Sequence, residues 1–502
     1  MKKIFCFLLI ASFSAQAQKY DRVWVFGDSA GIDFNNLASP VAISPIVSYI
    51  IENSYSMADS NGNLIFYMTG AHLGTNLLGY NQIFNSAGLL MANGDSIDTE
   101  FSITNGFTAV TFPNDSFYYC FYLCRTGGSD TITAKYAKIN MNLSGGLGKV
   151  ILKNILLDPL HSDSLAEKIT AIKHANGRDW WIITHLESSN AFKIFLLTPQ
   201  GISPPTYESI GPNLLYGPNG GYYFGEICPS QNGDKIVMTS TFDSTILLFS
   251  FDRCNGSISY FKNLSFYVSP SQSKWPYGVS FSSDGSIIYF STARNGGGAS
   301  AELFQIDISD TSSINSVLLF TAPGGLDIGQ HQIGPDGKIY ITTYTGNPLV
   351  FVPADNHHTK VSVINNPDIS GVGCNFVPFS FSLNGKKMST GLPNLPNYNL
   401  GALADSPCDT LGLGEPQLEN SLHGVSLFPN PNSGSFTLNY FLPHGSTGKL
   451  EIYNLFGEEV NEQELKKNSN AVQLNLVLAQ GFYLCRVVSG NQNAGVKFVV
   501  EK

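Results

Sequence analysis

The stretch Tyr277–Ala293, YGVSFSSDGSIIYFSTA, decides the fold. An alternating apolar run ends at Ser283-Asp284-Gly285, and a second run, IIYFST, returns from it. Period-two alternation on both sides of an Asp-Gly pair is the strongest short-range hairpin signal, because such turns need residues at positive φ. The pattern recurs along the chain. Its turns fall at Asn61-Gly62, Asn114-Asp115, Asn176-Gly177, Asn232-Gly233, Asp284-Gly285, Asp336-Gly337 and Asn384-Gly385, and successive turns lie 48 to 62 residues apart. An apolar strand precedes each turn, and another follows it, as in LIFYM, WWIITH, KIVMTS and IYITTY.

Most repeats then carry a third strand ending in a turn (KIFLLTPQG, ILLFSFDRCNG, ELFQIDISD) and a weaker fourth. Four strands per unit of about 50 residues, repeated radially, leave only short protected sheet edges. The expected fold is therefore all-β: a seven-bladed β-propeller over residues 19–404. The last unit, VPFSFSLNGKKMSTGLPN, is expected to supply only its first two strands. Residues near 22–35, RVWVFGDSAGIDFN, match a third strand, turn and fourth strand. They are expected to complete blade seven with residues near 377–392.

Composition agrees with an exported β protein. Charged residues make up only 13% of the 502, aromatics reach 12%, and the hydrophobic share of 43% supplies a core. Lys2 and Lys3, an apolar run from Ile4 to Phe13 and Ala15-Gln16-Ala17 form an export signal over residues 1–18. That run is too short to span a bilayer, and no later segment is long and apolar enough, so no transmembrane segment is expected. The formal charge is −10, and removing Lys2 and Lys3 takes it to −12. Without a basic cluster there is no electrostatic reason to bind nucleic acid or anionic lipid.

Residues 405–422, DSPCDTLGLGEPQLENSL, read as a linker, and 423–502 as a small immunoglobulin-like β-sandwich. This tail carries Pro429-Asn430-Pro431, Gly434, Ile452-Tyr453-Asn454, Gly457, Gly481, Tyr483 and Lys497 in order. It resembles the type A C-terminal sorting domain of the type IX secretion system of Bacteroidetes. The resemblance implies an address read by outer-membrane export machinery, which becomes a partner, and a mature protein at the cell surface or outside the cell. VWVFGDSAGIDFN, GPDGKIYI and NNPDISGVGCNF…GLPNLPN resemble the propeller-like regions that precede such domains in the same bacteria, which bears on fold and location.

Seven cysteines follow Cys6. Cys120 and Cys124 lie four residues apart on one strand, about 13 Å, too far to bridge. Cys228 and Cys254 fall in turns expected on one face and are paired on that ground; Cys374 and Cys408 are placed as a clamp on the last blade. Cys120, Cys124 and Cys485 read as small buried hydrophobes.

The sequence contains no H-E-x-x-H and no Walker loop. Gly145-Gly146-Leu147-Gly148-Lys149 has the wrong spacing for a phosphate cradle and reads as a turn. His185 and Glu187 share a strand face without the cysteines of a zinc site, and His357-His358 lies in a polar loop. Asp59-Ser60-Asn61-Gly62-Asn63 begins like a calcium loop but places its Gly at position four and lacks the closing Glu. Neither metal nor cofactor is expected. Residues 19–408 hold five arginines (Arg22, Arg125, Arg178, Arg253, Arg294), with no cluster for acidic sugars.

One binding constellation remains. The loops LLYGPNGGYYFG and FYVSPSQSKWPYG bring Tyr216, Tyr222, Tyr223, Trp275 and Tyr277 to one face, suited to stacking on sugars or to a protein partner. The bland alternative is that they fill gaps between blades. The leading expectation is a non-enzymatic recognition or adhesion module for an unidentified extracellular glycan or protein. The alternative is an extracellular carbohydrate-active hydrolase or lyase, needing two carboxylates at the channel mouth; Glu226, Asp327 and Asp284 are its first candidates.

Overall fold

The computed structural model describes residues 18–45, 50, 52–69, 81–99, 103–113, 115–125, 131–214, 224–241, 243–265, 275–294, 300–310, 314–345, 357–404, 406–408, 425–440, 442, 446–454, 457–465, 471–490 and 492–501. The chain divides into two compact units, residues 1–412 and 413–502.

The described part of the first unit holds seven antiparallel sheets. Blade one has Tyr55–Ala58, Leu64–Thr69 and Gln82–Asn85. Blade two has Phe107–Thr111, Phe117–Arg125, Ile132–Asn140 and Lys149–Leu156. Blade three starts at Leu165–Lys173, Trp180–Leu186 and Ala191–Thr198. Blade four runs from Ile227–Pro229 to Ile258–Asn263, blade five from Trp275–Phe281 to Ser316–Thr321, and blade six from Leu326–Ile333 to Phe376–Ser382. Blade seven is the N-terminal sheet Val23–Phe26, Ala30–Asp33 and Val41–Ile43.

Apolar clusters join neighbouring blades all the way round. Phe66, Phe107, Tyr122 and Trp180 link blades one to three, and Ile183, Phe192, Ile236 and Phe249 link three to four. Val237 and Phe290 join four to five, and Tyr289 and Ile339 join five to six. Trp24 and Phe34 pack edge-on against Tyr340 to join six to seven, and Val25 meets Tyr67 and Phe84 to return to blade one. Side chains from both faces of each sheet are thus withdrawn from water, which is what stabilises a radial stack.

Closure differs from the expected division of strands. Phe376–Ser382 pairs with Lys360–Ile364 as the fourth strand of blade six, not as the first strand of blade seven. Its alternation is that of any half-buried strand, so the local pattern does not say which sheet it joins. The connection through Gly371–Cys374 turns it back onto blade six. The stretch after it reaches blade seven by one bridge, Asp28 to Lys387, so the N-terminal strands make up nearly the whole blade.

After blade six the chain crosses the face that carries the first hairpin turns. Asn394 Nδ2 donates to Ile169 O at 2.8 Å, Asn397 Nδ2 to Gln231 O at 2.8 Å, and Lys173 Nζ to Tyr398 O at 2.6 Å. The Tyr398 hydroxyl lies 2.7 Å from that of Tyr55 and donates to Ala109 O at 2.7 Å. Arg253 Nη2 donates to Gly401 O at 2.7 Å, and the strap ends at a disulfide between Cys254 and Cys408, with Cα atoms 5.6 Å apart. This corrects the expected pairing: Cys254 bonds Cys408, while Cys228 and Cys374 are free thiols. The strap, invisible to turn-counting, carries Cys408 past blades one to three and delivers it to blade four. Cys120, Cys124 and Cys485 are buried and free.

The second unit packs two sheets face to face, one from Ser426–Phe428, Ser435–Asn439 and Ala471–Asn475 and the other from Gly448–Asn454, Glu459–Leu465, Gly481–Ser489 and Gln492–Val500. Phe436, Leu438, Ile452, Cys485 and Phe498 fill the space between them.

Candidate functional site

First strands, and the residues leading into them, line the propeller axis. They bring together Glu52 of blade one, Thr104 and Asn105 of blade two, Glu167 and Lys168 of blade three, Glu226 of blade four, Tyr277 of blade five and Gln330 and His331 of blade six. All of these are buried. Close approach is built in: a Cβ on Gly391 would lie 2.0 Å from Glu52 O, and one on Gly329 would lie 2.3 Å from Thr342 Oγ1.

The acids in this ring are held by internal donors. Glu167 Oε2 accepts from Thr104 N at 3.0 Å and Thr104 Oγ1 at 3.1 Å, and its Oε1 pairs with Arg125 Nη2 at 2.7 Å. Glu226 Oε2 accepts from Val279 N at 2.7 Å. Glu52 accepts from the Tyr277 hydroxyl, and Gln330 donates across the ring to Thr104 O. Blades one and five, and blades two and six, lie on opposite sides of the axis, so these two bonds bridge it. Gln330 Oε1 also accepts from Leu392 N at 2.8 Å.

Burial dominates the electrostatics, since a low-dielectric surround disfavours the charged form. It pushes the Glu226 carboxyl up to about 8. Burial, with the nearby Glu52, pushes Glu167 up to about 7. It pulls the Lys168 ammonium down to about 8 and the His331 imidazole down to about 3.

Of the acids named from sequence, Glu226 lies in this ring. Asp327 is paired with Arg294, accepting from its N at 2.8 Å and from Nε and Nη2 at 3.1 Å. Asp284 sits in its hairpin turn. Burial works against its charge, but the Ser282 and Ser286 hydroxyls, both at 2.7 Å, hold its carboxyl below the usual range.

Tyr216, Tyr222 and Tyr223 lie outside the described residues. Trp275 is half-buried at the start of its strand. Tyr277 is 5% exposed and points its hydroxyl at Glu52, so its ring offers no open stacking face. Sequence reasoning left it between a ligand-facing aromatic and a filler between blades, because nothing local reveals that Glu52 stands across the axis.

The remaining motifs are structural. His185 is buried, with Nδ1 2.8 Å from Leu186 O and its ring edge-on to Phe192. Glu187 accepts from the Ser164 hydroxyl. Asp59 Oδ1 accepts from the amides of Asn61 and Asn63 at 2.8 and 2.9 Å, which closes its turn. Sequence reasoning missed Glu52, Glu167, Lys168 and Gln330; the only available signal was polar residues inside otherwise apolar first strands, as in LAEKITAIK.

In the second unit the Pro429-Asn430-Pro431 turn is tied to the final strand. Asn430 Oδ1 accepts from Val499 N at 2.9 Å, and Asn432 N donates to Val499 O at 3.0 Å. Gly434 has φ of +100°, where a Cβ would meet Leu476 O at 2.3 Å. Tyr483 stacks on Phe498 and donates to Ala479 O at 2.9 Å. Residues 426–501 match the family model of the secretion system C-terminal sorting domain. The second unit is a sorting domain. It marks the protein for type IX export to the cell surface or the extracellular space. Among the described residues, no helix is long and apolar enough to cross a membrane.

Solved structures similar in fold include a putative 6-phosphogluconolactonase from Bacteroides fragilis, at 10% identity over 74% of this chain and 96% of that one, with a TM-score of 0.43. The periplasmic gluconolactonase of Pseudomonas aeruginosa is similar at 10% identity over 82% of this chain and 99% of that one, with a TM-score of 0.36. The Swd1 β-propeller domain of Myceliophteria thermophila follows at 11% identity over 65% of this chain and 93% of that one, also with a TM-score of 0.36. Likenesses this distant carry nothing about activity. No curated protein matches the chain in sequence.

Proposed function

We propose that the propeller is a non-enzymatic recognition or adhesion module, which the sorting domain delivers outside the cell. The observation that supports this is the engagement of the axial acids. Glu167 is spent on Arg125 and Thr104, Glu226 on a backbone amide and Glu52 on Tyr277. Bonds across the axis join opposite blades through the same residues, so they serve to stiffen the ring. A rigid disc with half-buried Trp275 at the entry to blade five suits stacking on a glycan or a protein surface.

A second reading rests on the protonation state of the same groups. Carboxyls raised to about 7 and about 8 beside a lysine lowered to about 8 are the pattern of acid-base catalysts at neutral pH. One screen separates the two: the mature chain is assayed for retention on a glycan array and for release of reducing ends from polysaccharides. Recognition is expected to give retention without release. Release that Glu226→Gln or Glu167→Gln abolishes would overturn it.

A further inference from the structure

A cavity of about 290 Å³ opens between blades two and three, beside the crossover that leaves blade two at Leu156 and enters blade three at Leu165. First strands run towards their hairpin turns on the strap face. This crossover therefore lies on the opposite face, as does Trp275 at the start of blade five. The wall is mostly apolar: Ala134, Leu157, Leu165 and Phe195 are buried, while Leu156 and Leu160 are exposed. Leu160 is 82% exposed. Apolar side chains this open beside a hollow are where a partner's apolar atoms gain by leaving water.

The polar side is one connected cluster. Lys193 Nζ lies 2.7 Å from Asp158 Oδ2 and 3.0 Å from Asp163 Oδ2. His161 Nδ1 lies 2.8 Å from Asp158 Oδ2, and the Tyr207 hydroxyl donates to Asp163 Oδ2 at 2.8 Å. Burial works against the Asp158 charge, but Lys193, the Leu160 amide and His161 hold its carboxyl down at about 2, so it only accepts. Nδ1 of His161 therefore carries a proton, and Nε2 of the neutral ring is an acceptor. Two of these groups can be reached from outside. His161 has 51% of its side chain exposed, and Asp163 has 35%. Both bonds to Asp163 fall on Oδ2, which leaves Oδ1 to accept from a ligand.

We infer that this cavity seats one long cationic side chain, an arginine or a lysine, of an extracellular protein partner. Its methylene stem lies on Leu156 and Leu160, and its charged head donates to Asp163 Oδ1 and His161 Nε2. Charge decides the sign. Asp158 and Asp163 against Lys193 leave one negative charge uncancelled, on a chain whose formal charge is −10, and both reachable acceptors call for a donor. Lys193 has only 4% of its side chain exposed and is spent on both acids, so an anion would find no free counter-charge in it. A sugar ring needs several hydroxyl partners, which a mostly apolar wall does not supply. Arginine and lysine join an apolar stem to a charged head, so one side chain matches both halves of the site. The volume is just under the ~300 Å³ at which small-ligand pockets begin, which is room for a side chain and not for a folded surface. The inference deepens the recognition reading and rests on it, choosing a protein over a glycan as the partner at this place.

The test uses the whole chain without residues 1–18 and fluorescence polarisation of labelled pentapeptides, Gly-Leu-Xaa-Leu-Gly. The central residue is arginine, lysine, citrulline or glutamate. The arginine or the lysine peptide is expected to bind. Citrulline, which keeps the shape of arginine without its charge, should bind about tenfold more weakly. Asp163→Asn should weaken binding of the cationic peptide about tenfold, the loss of one hydrogen bond to a charged acceptor. Leu160→Lys sets a like charge beside the cavity on a side chain too exposed to affect folding. It should abolish binding, and it decides alone if the Asp163 variant does not fold. No binding of either cationic peptide to the folded chain overturns the inference, as does citrulline or glutamate bound equally well. So does a dimer that Leu160→Lys dissolves, which would seat a second copy there. Peptide binding unchanged in both variants, or retention on the glycan array without peptide binding, overturns this site and leaves recognition standing. Reducing-end release overturns recognition itself.

Discussion

Removing the Cys254–Cys408 disulfide tests the strap most directly. The bond closes a loop of 154 residues. Loop-closure entropy for that length amounts to about 5 kcal/mol at 25 °C, and removal of native disulfides typically costs about 2–5 kcal/mol. The strap keeps independent anchors, Arg253 on Gly401 O at 2.7 Å and Leu403 N on Ala175 O at 2.7 Å, so the folded state should survive the change. The loss then falls on the unfolded state, which gains freedom. A domain of about 390 residues at ~2.1 cal/mol/K per residue unfolds with an entropy of about 0.8 kcal/mol/K. The double variant Cys254→Ala/Cys408→Ala should therefore melt about 2–6 °C lower, by differential scanning calorimetry. Dithiothreitol should lower the wild type similarly and leave the variant unmoved. Peptide mapping without reductant should recover the Cys254 and Cys408 peptides joined. A peptide joining Cys228 to Cys254, or a double variant melting with the wild type, would refute the account of how the ring is fastened.

Three further outcomes are expected. Gly391→Ala sets a Cβ 2.0 Å from the backbone oxygen of Glu52, which cannot swing aside, so stability should fall by about 1–3 kcal/mol; an unchanged Tm would show that the axis is looser than described. Glu226 and Glu167 have folded pKa values of about 8 and about 7, above the ordinary value of 4.5, so they lower stability as pH rises, whereas buried His331 and His185, lowered to about 3, raise it up to about 6.5; the net decline is therefore expected between about 6.5 and 8. Thermal melts across that range should show the decline, smaller by on the order of 1–3 kcal/mol in Glu226→Gln; a decline of equal size in the variant would remove Glu226 as its source. Above about 8, Lys168, whose folded pKa is lowered, works in the opposite direction. Deleting residues 426–501 should leave the propeller inside the outer membrane, and cell fractionation that finds it at the surface would contradict the role of the sorting domain.

The hairpins were legible because their signal is local. A Gly at positive φ after Asn or Asp, as at Gly233, Gly285 and Gly337, is demanded by the turn itself, wherever the sheet ends up. Six of the seven turns mark blades one to six, while the seventh, Asn384-Gly385, follows the fourth strand of blade six and lies outside the N-terminal sheet that forms blade seven; Pro429-Asn430-Pro431 with Gly434 determines the sorting domain from sequence alone. Strand ownership was not legible: Phe376–Ser382 alternates equally well in either sheet, and only the connection through Gly371–Cys374 assigns it to blade six. Nor was cysteine pairing, because the distance between Cys254 and Cys408 exists only after the strap has crossed three other blades. The site depended on tertiary structure most of all. Glu52, Glu167 and Glu226 are separated by tens to hundreds of residues, and their chemistry comes from burial and from partners on other strands of the ring. Those are properties of the closed circle, and no single repeat contains them.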